Sequence, residues 1–250
     1  SARLCPPIEN LVLTVKSHQV EAAIKGVKHA LSSSSKIFLL QNGMGTLEKV
    51  TQLLDGLVAA KNIYPGINTH GVYLKAGDSG SVQVVHAGEG EILFGNNYLK
   101  PQINNPAEEI ASLQRLSLSI FWSDKIEHKL WLKLAINAVI NPLTAIHNCL
   151  NGELLSSQRL ANEMALLCSE ITSLYRAMDL NISEKELTSE ITRVIKNTAQ
   201  NQSSMLQDIK SGKKTEIDEI TGYLLEKANQ FQITMKRHQR LYHNIKSMDY

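Results

Sequence analysis

Ile37-Phe38-Leu39-Leu40-Gln41-Asn42-Gly43-Met44-Gly45 decides the fold: four apolar residues, too few for a helix, lead straight into a loop carrying two glycines. An unbroken apolar run of this length is the pattern of a strand buried on both faces, as in a parallel sheet. An earlier run, Leu11-Val12-Leu13-Thr14-Val15, has the same character and ends at Lys16. Between the two, Val20, Ala23, Ile24, Val27 and Leu31 recur at helical spacing until the serines at 32–35 break the pattern. A further helix is expected over about residues 46–54. Strand, helix, strand, helix with short connections predicts right-handed βαβ units.

Downstream, from residue 63 to 95, the pattern turns to strands with glycine-bearing turns: Gly71-Val72-Tyr73-Leu74, Ser81-Val82-Gln83-Val84-Val85 and Glu91-Ile92-Leu93-Phe94-Gly95. These are expected to close the sheet, partly antiparallel. Asn105-Pro106-Ala107 opens a helix reaching about residue 115, with proline at a favourable first-turn position. After Trp122 every periodic segment is helical. The expected organisation is an α/β portion over 1–124 and an all-helical portion over 125–250.

Composition narrows the class. The 250 residues suffice for one or two cores, and 43% hydrophobic with 20% charged residues indicates a globular protein rather than a disordered one. The 26 basic and 24 acidic residues leave a net charge of +2, with no run that could track a phosphate backbone, so nucleic acid is not expected as a partner. Cys5, Cys149 and Cys168 are odd in number and far apart, reading as reduced intracellular thiols. The eight histidines form no metal-ligand spacing, so no metal is expected. No apolar run approaches the roughly 18–20 residues of a membrane span, and no signal peptide is evident, which makes cytoplasm the expected location.

Chemistry concentrates in Leu130-Trp131-Leu132-Lys133-Leu134-Ala135-Ile136-Asn137-Ala138-Val139-Ile140-Asn141-Pro142. Such a helix, apolar around most of its circumference, is buried. Its exceptions, Lys133, Asn137 and Asn141, stand at i, i+4 and i+8 and form one polar stripe. An unpartnered buried amide costs roughly 2–7 kcal/mol and an ammonium more, so the stripe must meet polar groups or a wet cavity. The plainer alternative is that the asparagines bond nearby backbone and Lys133 reaches the surface. Pro142 should end or kink the helix, leaving Asn141 near a terminus. The loop Asn42-Gly43-Met44-Gly45 lies at the carboxyl end of a strand, where open α/β sheets bind ligands, and its glycines would let backbone approach one. An ordinary glycine turn is the alternative.

The segments Leu40-Gln41-Asn42-Gly43-Met44-Gly45, Lys133-Leu134-Ala135-Ile136-Asn137 and Asn141-Pro142-Leu143-Thr144-Ala145 resemble signature segments of ketopantoate reductases. Asn151-Gly152-Glu153-Leu154, Ser203-Ser204-Met205-Leu206-Gln207-Asp208 and Thr215-Glu216-Ile217-Asp218 follow in the order that family shows, and the resemblance extends from about residue 10 to 241. It implies a Rossmann-type (doubly wound) nucleotide-binding domain, here partial, followed by a helical domain. It also implies NADPH-dependent reduction of a 2-oxo acid, 2-dehydropantoate, to pantoate in pantothenate and coenzyme A biosynthesis. By resemblance Lys133 is the proton donor, and Asn42, Asn137, Asn141, Asn151 and Ser204 bind substrate. Lys16, Asn42, the backbone around Val72, and Glu216 contact the NADP cofactor. A homodimer is compatible with the resemblance.

Two expected features are absent from this stretch: a first strand and the Gly-x-Gly-x-x-Gly turn that seats a pyrophosphate on a helix N-terminus. A parallel sheet beginning midway would expose an edge, and residues 1–9 read as a connection from something upstream. A portion of a longer chain is therefore expected, with a deliberate fragment or natural loss of the cofactor segment as alternatives. Prolines would also be expected at 233–236, before the last helix. Two other functions compete: reduction of a different branched 2-oxo acid, and a catalytically inactive binding or dimerisation module.

Overall fold

The computed structural model describes residues 6–76, 81–100, 106–116 and 119–249. Two compact units form, one from residues up to 41 with 46–129, the other from 42–45 with 130–250. The first holds strands β1 (Asn10–Leu13), β2 (Lys36–Leu39), β3 (Ile63–Asn68), β4 (Gly71–Ala76), β5 (Val82–Gly88), β6 (Ile92–Phe94) and β7 (Ile120–Trp122). Five of them make a mixed sheet in the order β1-β2-β3-β6-β7. β1, β2 and β3 run parallel, β6 antiparallel to β3, and β7 parallel to β6.

Both faces of this sheet are covered, which is why its strands read as unbroken apolar runs. On one face Leu13, Ile37, Leu39 and Ile63 pack with Val20 and Ile24 of α1 (Val20–Val27) and Leu47 and Val50 of α2 (Thr46–Leu53). On the other, Phe38, Tyr64, Phe94 and Ile120 pack with Ile110 and Leu113 of α3 (Pro106–Gln114). Phe38 stacks on Tyr64 and meets Phe94 edge-on, each at 5.0 Å between ring centres. Each fully buried side chain of this size contributes about 1.5–3 kcal/mol. Asn105, expected just before α3, lies outside the described residues.

The sheet differs from expectation in two respects. β4 and β5, expected to close it, pair only with each other as an antiparallel two-stranded sheet, with Val72 opposite His86. Gln83 and His86 are exposed there, and a sheet covered on both faces has no place for them. Of the three strands expected between 71 and 95, β6 alone joins the main sheet. Its remaining places go to β3 and β7. Pro65 and Gly66 disguise β3, and Pro65 still serves the ladder with its carbonyl, which accepts from the Gly95 amide at 3.1 Å.

In the second unit lie α4 (Ile126–His147) from residue 130 onward, α5 (Glu153–Ser156), α6 (Gln158–Ala177), α7 (Glu184–Asn197), α8 (Ser204–Lys210), α9 (Tyr223–Gln230) and α10 (Lys236–Lys246), with a π-helical turn at Asp218–Gly222. Ser157, Ser183 and Ser203 cap α6, α7 and α8 by accepting from the amides of Leu160, Glu186 and Leu206. Of the two outcomes expected at Pro142, an end or a kink, the end does not occur: α4 runs on to His147, so Asn141 is not near a terminus. Leu143 and Ala145 beyond the proline are buried, so packing holds the helix together past it; the Thr144 hydroxyl donates to the Ile140 carbonyl at 2.8 Å.

The prolines expected before α10 have a substitute from across the fold. Glu170 of α6 accepts from the backbone amides of Arg237 at 2.9 Å and His238 at 3.2 Å, and from the His238 ring at 2.8 Å. A carboxylate at a helix N-terminus satisfies orphan amides and opposes the positive end of the dipole. Among the described residues, no helix is long and apolar enough to cross a membrane, and no group of three or more histidine, cysteine or acidic side chains is placed to hold a metal.

Candidate active site

α4 supplies the lysine. Leu134, Ala135, Ala138, Val139 and Ile140 are buried, whereas Leu132, Lys133, Ile136 and Asn137 are only partly so. The polar stripe thus follows the accessible side of the helix, except that Asn141 at its far end is buried. The helix is steadied beside the lysine: the Tyr175 hydroxyl donates to the Trp131 carbonyl at 2.7 Å, and the Trp131 ring meets Tyr175 edge-on. Burial lowers the Lys133 amine to about 8, against an opposing pull from the negative charge of Glu216.

Glu216 stands just before the π-helical turn and is buried. Its Oε2 accepts from the Asn42 amide nitrogen at 3.0 Å. Asn42 reaches it because the loop 42–45 belongs to the second unit. There the Met44 amide donates to the Glu219 carbonyl at 3.0 Å. Gly43 (φ +79°) and Gly45 (φ +91°) are left-handed. A Cβ on Gly43 would collide with the Glu219 carbonyl, and one on Gly45 would touch the Tyr223 ring. In this structure the glycines admit the turn itself.

A second group of expected residues gathers around α8. Thr144 Oγ1, on α4 three residues past Asn141, is hydrogen-bonded to Ser203 Oγ at 2.7 Å. Ser203 is buried as the cap, while Ser204 begins the helix and is exposed. Asn151 is buried, its amide donating to Thr198 Oγ1 at 2.9 Å, and its backbone amide donates to the Asn201 carbonyl at 3.0 Å. Thr144 and Ser203 lie within segments that carry the resemblance, but neither is singled out as a site residue by the sequence.

Two expected cofactor contacts belong to the first unit. Lys16 follows β1, its backbone amide donating to Gln19 Oε1 at 3.1 Å. Val72 lies half-exposed in β4. Gln41 at the end of β2 is a further ordering residue: its amide donates to the carbonyls of Leu13 at 2.7 Å and Val15 at 3.2 Å, holding the β1 terminus ahead of Lys16.

Comparison with known proteins fits this arrangement. Residues 3–98 match the family model described as ketopantoate reductase PanE/ApbA, and residues 125–249 match its C-terminal counterpart. The 2-dehydropantoate 2-reductase of Yersinia pestis is 32% identical over 246 residues, covering 95% of this chain and 73% of that protein. That of Shigella flexneri is 34% identical over 236 residues, covering 94% and 73%. Among solved structures, the probable 2-dehydropantoate 2-reductase of Bacillus subtilis superposes with a TM-score of 0.76 at 30% identity, covering all of this chain and 80% of that one. An oxidoreductase with a Rossmann-like α/β unit and a helical unit is the class so defined. The chain belongs to the ketopantoate reductase family.

Proposed function

We propose that this protein reduces 2-dehydropantoate to pantoate with NADPH, the step that supplies pantoate for pantothenate and coenzyme A. The observation that carries the reading is the set Lys133, Glu216 and Asn42: an amine lowered to about 8 by burial, facing the charge of a buried carboxylate that an asparagine amide holds at 3.0 Å.

The donor chemistry fits a nicotinamide nucleotide at its ribose end. A carboxylate accepts from ribose hydroxyls, and an amide can both donate to them and accept from them. Glu216 and Asn42 would hold that end, with Lys16 and the backbone at Val72 as further contacts from the 1–124 portion. When bound, NADPH supplies the hydride. Lys133 binds the carbonyl oxygen of the 2-oxo acid as an ammonium, stabilises the negative charge growing there, and gives up one proton to form the hydroxyl. Asn137, Asn141, Asn151 and Ser204, from the 125–250 portion, supply amide and hydroxyl partners for the substrate carboxylate and hydroxyl.

The test follows NADPH oxidation by the complete protein with 2-dehydropantoate and with other branched 2-oxo acids, and repeats it with NADH. Fastest turnover for 2-dehydropantoate with NADPH supports the reading; preference for another 2-oxo acid moves the substrate; no oxidation with any of them removes the reductase assignment. Light scattering checks the homodimer, and fractionation of the source cells checks the cytoplasmic location.

A further inference from the structure

Glu216 is clamped from both sides by one helix and the residues after it. Immediately before it, Thr215 is wholly buried, and both its backbone amide and its hydroxyl donate to the Asp249 carboxylate, each at 3.1 Å. Two residues after it, Asp218 accepts from the Tyr242 hydroxyl at 2.7 Å and from Lys246 Nζ at 3.1 Å. Tyr242 and Lys246 lie on α10, and Asp249 follows three residues after its end. The helix is itself anchored: Glu170 caps its N-terminus, and Leu241 and Ile245 are buried. The segment 215–218 is thus tied at both ends to a body that contributes none of the expected substrate or cofactor contacts.

From this geometry we infer that Asp249 and Tyr242 are positioning residues: they fix the backbone on either side of Glu216, so that its carboxylate stays on the Asn42 amide and close to Lys133. The inference rests on the reading of Glu216 and Lys133 given above. A carboxylate on three rotatable bonds has several rotamers, and holding its backbone at two points removes the freedom that would let it swing off Asn42. Removing a clamp should loosen the site without unfolding it, because Asp218 and Asp249 are themselves partly exposed.

The experiment compares Asp249→Ala, Asp249→Asn, Tyr242→Phe and Glu216→Gln with wild type in the complete protein. Two readouts are used: titration of the Lys133 side chain by NMR of lysine-labelled protein without cofactor, and KM for NADPH against kcat. Expected for Asp249→Ala is a Lys133 titration displaced downward, in the direction Glu216→Gln displaces it, and a KM for NADPH raised about 10-fold with a smaller change in kcat, on a fold that still melts cooperatively. Asp249→Asn should largely recover both, since its amide can bond Thr215 through either atom. Tyr242→Phe should act in the same sense more weakly. If Glu216→Gln displaces the titration and raises KM while Asp249→Ala and Tyr242→Phe change neither, the clamp has no positioning role and the reading of Glu216 stands. If Glu216→Gln is itself silent, the role of Glu216 fails and the clamp falls with it.

Discussion

Asn42 donates its amide to the carboxylate of Glu216 at 3.0 Å, although 174 residues separate them. The pair joins the loop after β2 to the turn before α9, and Lys133 of α4 feels the same carboxylate. Three segments far apart in the chain therefore share one electrostatic environment, and the first expectations follow from it.

The rate should fall as pH rises through about 8. Lys133 must carry its proton to act as donor, and burial makes it lose that proton more readily than an ordinary lysine. Glu216 opposes the loss, so Glu216→Gln should move this alkaline limb of kcat/KM to lower pH. A limb that stays where it was in the variant would detach Glu216 from the lysine.

Lys133→Met should lower kcat by about 10²–10³ without destabilising the fold. The amine titrates near 8 when folded and 10.5 when unfolded. Between those values the unfolded chain binds more protons, so wild-type stability should rise with pH across that window. The variant lacks this slope. Melting temperature against pH separates the two, and loss of stability on substitution would contradict an ammonium that the fold disfavours.

Gly43→Ala should cost about 2–4 kcal/mol, because the new methyl group meets the Glu219 carbonyl at a backbone angle of +79° that suits glycine. Relief of that collision would move Asn42, so KM for the cofactor should rise as well. Gly26, with open space around it, is the control: Gly26→Ala in α1 should be neutral or stabilising in the same denaturant titration.

Acid should weaken the Glu170–His238 junction. Burial lowers the imidazole of His238 below its usual 6.5, outweighing Glu170. Burial would raise the Glu170 carboxyl, but the His238 ring and two backbone amides hold it below its usual 4.5. In both cases the unfolded chain takes up protons first as pH falls, so stability is lost below about 6.5 from the histidine and further below 4.5 from the glutamate. Glu170→Gln should lower the melting temperature at neutral pH and remove the glutamate's share of the loss below 4.5, while the histidine's loss below 6.5 deepens because the charge that favours protonated His238 is gone; calorimetry across the range checks each.

What was legible in the sequence was whatever a short period encodes. β1, β2, α1 and α2 follow from apolar spacing within a few residues of their observed ends, and the Lys133-Asn137-Asn141 stripe follows from helical geometry alone. β3 was hidden by Pro65 and Gly66, and β7 by its three-residue length. The persistence of α4 past Pro142 rests on the burial of Leu143 and Ala145, which depends on packing in the folded chain and is not encoded next to the proline. The cap that Glu170 gives α10 spans 67 residues and has no local signature. The resemblance pointed to Glu216 and Asn42 separately; that they bond each other is a property of the folded chain.

The four-residue loop from Asn42 to Gly45 also bears on how this protein could be taken apart or recombined. It is numbered among the strands and helices of the first unit but packs with the second. An excised helical portion starting at Leu130 would leave the Glu219 carbonyl without the Met44 amide and Glu216 without Asn42. Exchange of the helical portion between relatives at one crossover would likewise join a turn from one parent to a receptor surface from the other. A working chimaera has to carry residues 42–45 and 216–223 from the same parent, so the unit of inheritance here is a discontinuous set rather than a stretch of chain.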